Sequence, residues 1–193
     1  MRRAIHPLQE AALPKTSICT VPYDRDNRPD AMLQQVVRRL EAGGLQVRGL
    51  LQDGQPGTTS TCATLFLEDI GTGRRIQAFE QRGAAARGCR LDPAGLAESA
   101  GWVREAIAAQ PDVLFINRFG HQEAEGRGLR DEIAAAVVAG LPLVIAVNQP
   151  LLPKWHTFAG EGCSFATADP ERIEAWCLGA LSRAARQQQG GPA

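Results

Sequence analysis

Residues 117–130 crowd donors and charges into one short stretch: Asn117, Arg118, His121, Glu123, Glu125, Arg127 and Arg130. Arginine presents a planar fork that matches an oxyanion two bonds at a time, so Arg118, Arg127 and Arg130 are candidate anion ligands. Their alternative is ordinary surface pairing of Arg127 and Arg130 with Glu123, Glu125 or Asp131. His121 could ligate a metal or pass a proton, or be a solvated loop side chain. Glu123 is the candidate general base, with a plain helix-entry charge as its alternative. Asn117 is neutral and suits orienting a ligand better than holding magnesium alone. Gln52, polar at the end of an apolar run, is a further candidate for the same cleft.

Two other places carry chemistry-bearing side chains. Cys62 and Cys89 stand apart from the other cysteines, and Cys89 has Arg90 beside it, a cation that favours the thiolate and soft-metal or molybdenum binding. The alternative is a pair of small buried thiols. Arg90 either pairs with Asp92 or leaves Asp92 to cap a helix opening at Pro93. Trp155 follows a buried strand; an indole there lines a pocket or subunit contact, or packs over the sheet edge.

The elements that must position these groups alternate between two periods. Ser17–Pro22, Leu45–Gln52, Val113–Ile116 and Leu143–Val147 read as core strands, the last a continuous apolar run expected of a strand buried on both faces. Asp30 reads as an N-cap for a helix to about Glu41, whose Met32, Leu33, Val36, Val37 and Leu40 recur at helical spacing, with Gly43-Gly44 ending it. Helices are also expected from Pro93 to about Ala109, from about Gly128 to Ala139, and from Pro170 to about Arg186. Cys62–Asp69 and Arg74–Phe79 flank Gly71-Thr72-Gly73 as an antiparallel hairpin, while 81–91 read as irregular and 148–162 as a long loop. The result is one α/β domain over 1–193, a mostly parallel sheet flanked by helices with an inserted β-hairpin, and flexible tails at 1–15 and 187–193. In such sheets ligands sit beyond the carboxyl ends of strands, where 117–130 begins.

Bulk properties narrow the class. The chain has 193 residues, 44% of them hydrophobic, enough for a substantial core. Lys and Arg number 21 and Asp and Glu 21, so the basic excess of general nucleic-acid binders is absent. No apolar run approaches the roughly 20 residues needed to span a bilayer. The opening Met1–Glu10 has no apolar stretch of a secretory signal, which reads as cytoplasmic. The 5 cysteines are scattered, form no Cys-x-x-Cys pair and support neither a disulfide scaffold nor a zinc ribbon; Cys19 and Cys177 read as core fillers.

A phosphate-binding first turn needs glycines whose backbone N–H groups wrap phosphate, then a lysine and a hydroxyl. Here the turn reads Tyr23-Asp24-Arg25-Asp26-Asn27-Arg28-Pro29-Asp30, without glycine, lysine, serine or threonine. Asp24, Asp26 and Asp30 would repel a triphosphate.

The chain resembles the bacterial family known as domain of unknown function 2478, a relative of the thermophile-type nucleoside-triphosphatases of the P-loop fold. The resemblance runs from about Thr20 to Phe165. It is carried by Gly49-Leu50-Leu51-Gln52, Gly88-Cys89-Arg90-Leu91-Asp92, the stretch Asn117 to Arg130, and Trp155-His156-Thr157-Phe158-Ala159-Gly160. It implies a P-loop NTPase-like (Rossmann-like) sheet. Members are often encoded beside molybdate-uptake genes, which implies a role in molybdenum supply. The triphosphatase relatives place an acidic magnesium-binding pair after the strand that here ends at Ile116, where this chain has Asn117-Arg118.

Three functions follow as expectations. The first is a degenerate P-loop-like binding protein for a small oxyanion such as molybdate, or for a nucleotide-like or molybdenum-cofactor species, and not an active NTPase. The second is a weak or altered nucleoside-triphosphatase with Glu123 as base. The third is an interaction module in which the 148–162 loop and Trp155 form a homo-oligomer contact.

Overall fold

The computed structural model describes residues 17–24, 26–53, 66–77, 79–81, 89–160, 164–165 and 168–189. Four apolar runs form its centre. β1 (Ile18–Tyr23), β2 (Val47–Asp53), β7 (Val113–Phe119) and β8 (Leu143–Asn148) are all parallel. They sit in a seven-stranded sheet of order β4-β3-β2-β7-β8-β1-β9. β9 (Ser164–Phe165), parallel to β1, closes one edge. β3 (Phe66–Asp69) and β4 (Arg75–Ile76) form the expected hairpin and add antiparallel strands at the other. Residues expected to be irregular contribute β6 (Cys89–Leu91), which pairs antiparallel with β5 (Phe79–Gln81).

Alternation along the central strands divides the core in two. Leu143, Ile145 and Val147 of β8 face one side, where α2 (Pro93–Ala108), α4 (Arg130–Val138) and α5 (Leu152–Ala159) bring Trp102, Val103, Ile133, Ala136 and Trp155. Val144 and Ala146 face the other, against Leu33, Val36, Val37 and Leu40 of α1 (Asp30–Ala42) and Ile173, Trp176 and Cys177 of α6 (Pro170–Gln189). At about 25 cal/mol per Å² of apolar surface removed from water, burial on both faces makes these strands the principal source of stability. β2 and β7 approach so closely that Gly49, at φ +124°, would place a Cβ 1.9 Å from the carbonyl oxygen of Phe115. Only glycine fits there.

Several boundaries differ from the sequence expectation. β7 runs on to Phe119, so Asn117 and Arg118 lie on the strand and not in a loop. The expected long loop at 148–162 contains a 3₁₀ turn (Gln149–Leu151) and α5. Pro150 and Pro153 mimic loop punctuation, yet each stands in the first turn of its helix, where the missing N–H costs nothing. α6 continues to Gln189, three residues into the expected C-terminal tail; 1–16 and 190–193 lie outside the described residues. Asp92 does cap α2, accepting from the N–H groups of Ala94 and Gly95. Among the described residues, no helix is long and apolar enough to cross a membrane.

Candidate ligand site at the sheet rim

The site begins with a fault in a strand. β7 and β8 keep regular register as far as Ile116 opposite Ile145, but the next partner of β8, Ala146, faces Arg118. Asn117 is therefore an inserted residue, a β-bulge. A bulge breaks the two-residue alternation and re-aims the side chains after it. Leu114 and Ile116 face the α2 side, and so does Phe119, which unbroken alternation would send to the opposite face. Asn117 and Arg118, between them, both reach Asp30 at the start of α1 on the other side.

Arg118 Nη2 donates to Asp30 Oδ1 at 2.8 Å, and its guanidinium lies 5.3 Å above the ring of Tyr23, the last residue of β1. The Asp30 side chain is 8% exposed and that of Arg118 is 26% exposed. The carboxylate is thus inside and the cation at the lip. The Asn117 amide has two orientations. In one it donates to Gln52 Oε1 at 3.4 Å. Turned over, it donates to Asp30 Oδ1 at 3.1 Å and accepts from the Gln52 N–H at 3.2 Å, which satisfies both ends and is the arrangement its surroundings favour. Gln52, Asn117 and Asp30 are all buried, so a hydrogen-bonded polar cluster occupies the carboxyl ends of β2 and β7. Alongside it, the turn after β1 folds around its own acid: Asp24 Oδ1 accepts from the N–H groups of Asp26 and Asn27 at 3.0 and 2.8 Å.

Of the residues singled out from sequence, the structure brings Gln52, Asn117 and Arg118 together and gives Glu123, Arg127, Arg130 and Trp155 different partners. Glu123, in the short helix α3 (His121–Ala124), is buried; its Oε2 accepts from the N–H of Gly120 and its Oε1 from that of Leu129. Both oxygens hold the loop. Arg130 donates to the carbonyl of Glu123 and lies 4.2 Å over the ring of Phe158. Arg127 is exposed and bonds to Glu125 and Gln122, the surface-pair alternative. His121 is exposed at the start of α3. Trp155 is fully buried, donates Nε1–H to Thr20 Oγ1 at 2.8 Å, and packs edge-on against Phe119 at 5.0 Å. Its indole is core, the packing alternative, in place of a ligand pocket or an oligomer contact. Cys62 lies outside the described residues; Cys89 is in β6, and its side chain lies outside them too. Among the described residues, no group of three or more His, Cys, Asp and Glu side chains could hold a metal. Asp30 and Tyr23 were missed as site residues because an N-cap aspartate and the first residue of a polar turn carry ordinary structural readings; the helix is instead capped at Pro29, with Asp30 its first residue, and Tyr23 ends β1.

The fold has known counterparts. The structure superposes on that of THEP1 from the hyperthermophile Aquifex aeolicus with a TM-score of 0.61 at 13% identity, over 86% of this chain and 97% of that one. A human cancer-related nucleoside triphosphatase gives a TM-score of 0.52 at 14% identity, over 92% and 99%. These likenesses establish a P-loop NTPase-like fold. In sequence, the chain is 32% identical over 183 residues to the molybdenum import ATP-binding protein ModC 2 of Bradyrhizobium diazoefficiens. The match takes in 95% of this chain and 20% of that protein, so the chain spans about a fifth of its relative's length. The family model described as protein of unknown function (DUF2478) matches residues 18–176, and the chain belongs to that family.

Proposed function

We propose that this chain binds a small oxyanion at the carboxyl rim of β2 and β7, with Arg118 as its anion-facing group, and that it serves molybdenum supply on the cytoplasmic side. The observation that carries this reading is the bulge at Asn117. It costs the sheet a regular ladder position, and what it achieves is to bring an amide and a guanidinium to one spot at the strand ends, where open α/β sheets hold their ligands. A bulge that served the core alone would have no use for two consecutive polar side chains. The likeness to a segment of a molybdenum import ATP-binding protein supports molybdate, or another molybdenum species, as the cargo, and an importer's ATP-binding protein as the neighbour it works beside.

Hydrolysis of a triphosphate is disfavoured by two other features. The turn after β1 spends its Asp26 and Asn27 N–H groups on Asp24, and both oxygens of Glu123 are engaged by backbone. Isothermal titration of the full chain with molybdate, tungstate, sulfate and nucleotides tests the reading. Saturable heat with molybdate that disappears in Arg118→Ala is expected. Absence of heat with every oxyanion and nucleotide, in the wild type and in variants of the rim alike, overturns it.

A further inference from the structure

We propose that Asp30 is a built-in competitor: its carboxylate occupies Arg118 and must let go before an anion can bind. The inference rests on the oxyanion reading above and adds to it what regulates affinity and which ligands can succeed.

The donors that would greet an anion at this rim already hold one. Asp30 Oδ1 receives the Arg118 guanidinium at 2.8 Å and, in the favoured amide orientation, the Asn117 Nδ2–H at 3.1 Å. Charge-assisted bonds of this kind are about twice as strong as neutral ones. Asp30 is also the first residue of α1, where the helix dipole favours negative charge. An aspartate is anchored to its backbone, however, and reaches Arg118 through one oxygen only. Arg118 keeps a solvent-facing edge and is steadied from behind by the Tyr23 ring. An oxyanion arriving at that edge meets an oriented cation, together with a single negative charge that opposes it.

Two consequences follow. Apparent affinity equals intrinsic affinity multiplied by the fraction of molecules in which Arg118 is released, so removal of the Asp30 charge must tighten binding. The release factor is common to every anion, whereas the displaced carboxylate stays close by and repels a dianion such as molybdate or sulfate more than a monoanion such as nitrate.

The test is calorimetric titration of the full chain with molybdate, sulfate and nitrate, in the wild type, Asp30→Asn, Arg118→Ala and the double variant. Glu125→Gln serves as a control that removes one carboxylate from the exposed Arg127 pair, and thermal melts confirm that each protein is folded. Asp30→Asn is expected to bind molybdate at least tenfold more tightly, with nitrate gaining relatively less; Glu125→Gln should stay within about twofold. Both Arg118→Ala proteins should lose binding. Asp30→Ala repeats the test without a residual amide donor. Should the wild type bind molybdate with Asp30→Asn and Asp30→Ala equal or weaker, the competitor is refuted while the oxyanion reading stands. Binding that survives Arg118→Ala moves the ligand elsewhere and also refutes it. If neither the wild type nor either Asp30 variant binds any oxyanion, both readings fall.

Discussion

Gly128 lies so close to Glu123 that a Cβ built on it would stand 2.1 Å from Oε1. The residue also has φ +66°, a conformation that glycine adopts without strain and L-residues rarely do. The two residues therefore form one device, in which the buried carboxylate ties Gly120 to Leu129 and the missing side chain leaves room for it. Gly128→Ala should displace that carboxylate and destabilise the fold by roughly 2–4 kcal/mol, combining backbone strain with lost hydrogen bonds. Glu123→Gln, which keeps one acceptor, should cost about half as much. Urea unfolding checks the order; an alanine variant as stable as the wild type would mean the loop is not clamped this way.

Trp155 and Thr20 make a second pair with a measurable coupling. The indole N–H is sealed in the core and Thr20 Oγ1 is its acceptor, so Thr20→Val leaves a buried donor unsatisfied at about 1–3 kcal/mol. Trp155→Phe removes the donor together with some volume. In the Trp155→Phe background, Thr20→Val should therefore cost much less than it does alone. A double-mutant cycle by thermal unfolding reads the difference, and additive losses would show that the bond contributes nothing. Light scattering of Trp155→Phe should match the wild type, since the indole meets no solvent.

These cases show what the residues disclosed beforehand. The parallel strands were legible because β8 is an unbroken apolar run and α1 repeats its apolar positions at helical spacing. The hairpin was legible from its glycine-rich turn. β9 was not, because two residues paired on one edge carry no periodic signal. Asn117 and Arg118 read as loop for a related reason: a strand pattern ends, to the eye, where apolar residues end, and a bulge carrying polar side chains imitates that end. The cluster around Asp30 depends on pairings 65 and 88 residues apart in the chain. No local spacing encodes them. Arg127 and Arg130 share Arg118's chemistry in sequence, and only the three-dimensional partners separate their roles.

The buried thiols give a pH dependence of known sign. Burial pushes the Cys19 thiol up to about 12, and Cys177 is pushed up further, chiefly by burial and then by its neighbour Cys19. Unfolded thiols ionise near 8.5, so above that pH the unfolded chain sheds protons that the folded chain retains. Stability carried by these groups is complete below about pH 8.5 and declines as pH rises toward the folded values, by up to about 1.4 kcal/mol per pH unit for each thiol. Urea midpoints measured between pH 8 and 10.5 should fall, and Cys19→Ala/Cys177→Ala, although less stable at pH 7, should flatten the decline. An equal slope in both proteins would assign the alkaline loss to other groups.

The cluster at the rim makes a prediction about charge placement that ordinary packing does not. Asn117 meets Asp30 Oδ1 at 3.1 Å as a donor. Asn117→Asp would set two carboxylates at that separation with one guanidinium to share, at positions where residues 30, 52 and 117 are all buried. Like charges at that distance, partly desolvated, cost on the order of 2–4 kcal/mol even after Arg118 is shared. Asp30→Asn alone removes half of an ion pair whose cation can still turn to solvent, so its cost should be smaller, near 1 kcal/mol. The exchange Asp30→Asn/Asn117→Asp restores one acid and one amide, with the acid now beside Arg118 on the strand itself. It should recover most of the stability lost in Asn117→Asp, giving a coupling of at least 1 kcal/mol in urea unfolding. Without recovery, Asn117 would be a spacer that creates the bulge and contributes no hydrogen bond to Asp30. With recovery, one negative charge and one amide are what this rim requires, and which residue bears which is secondary.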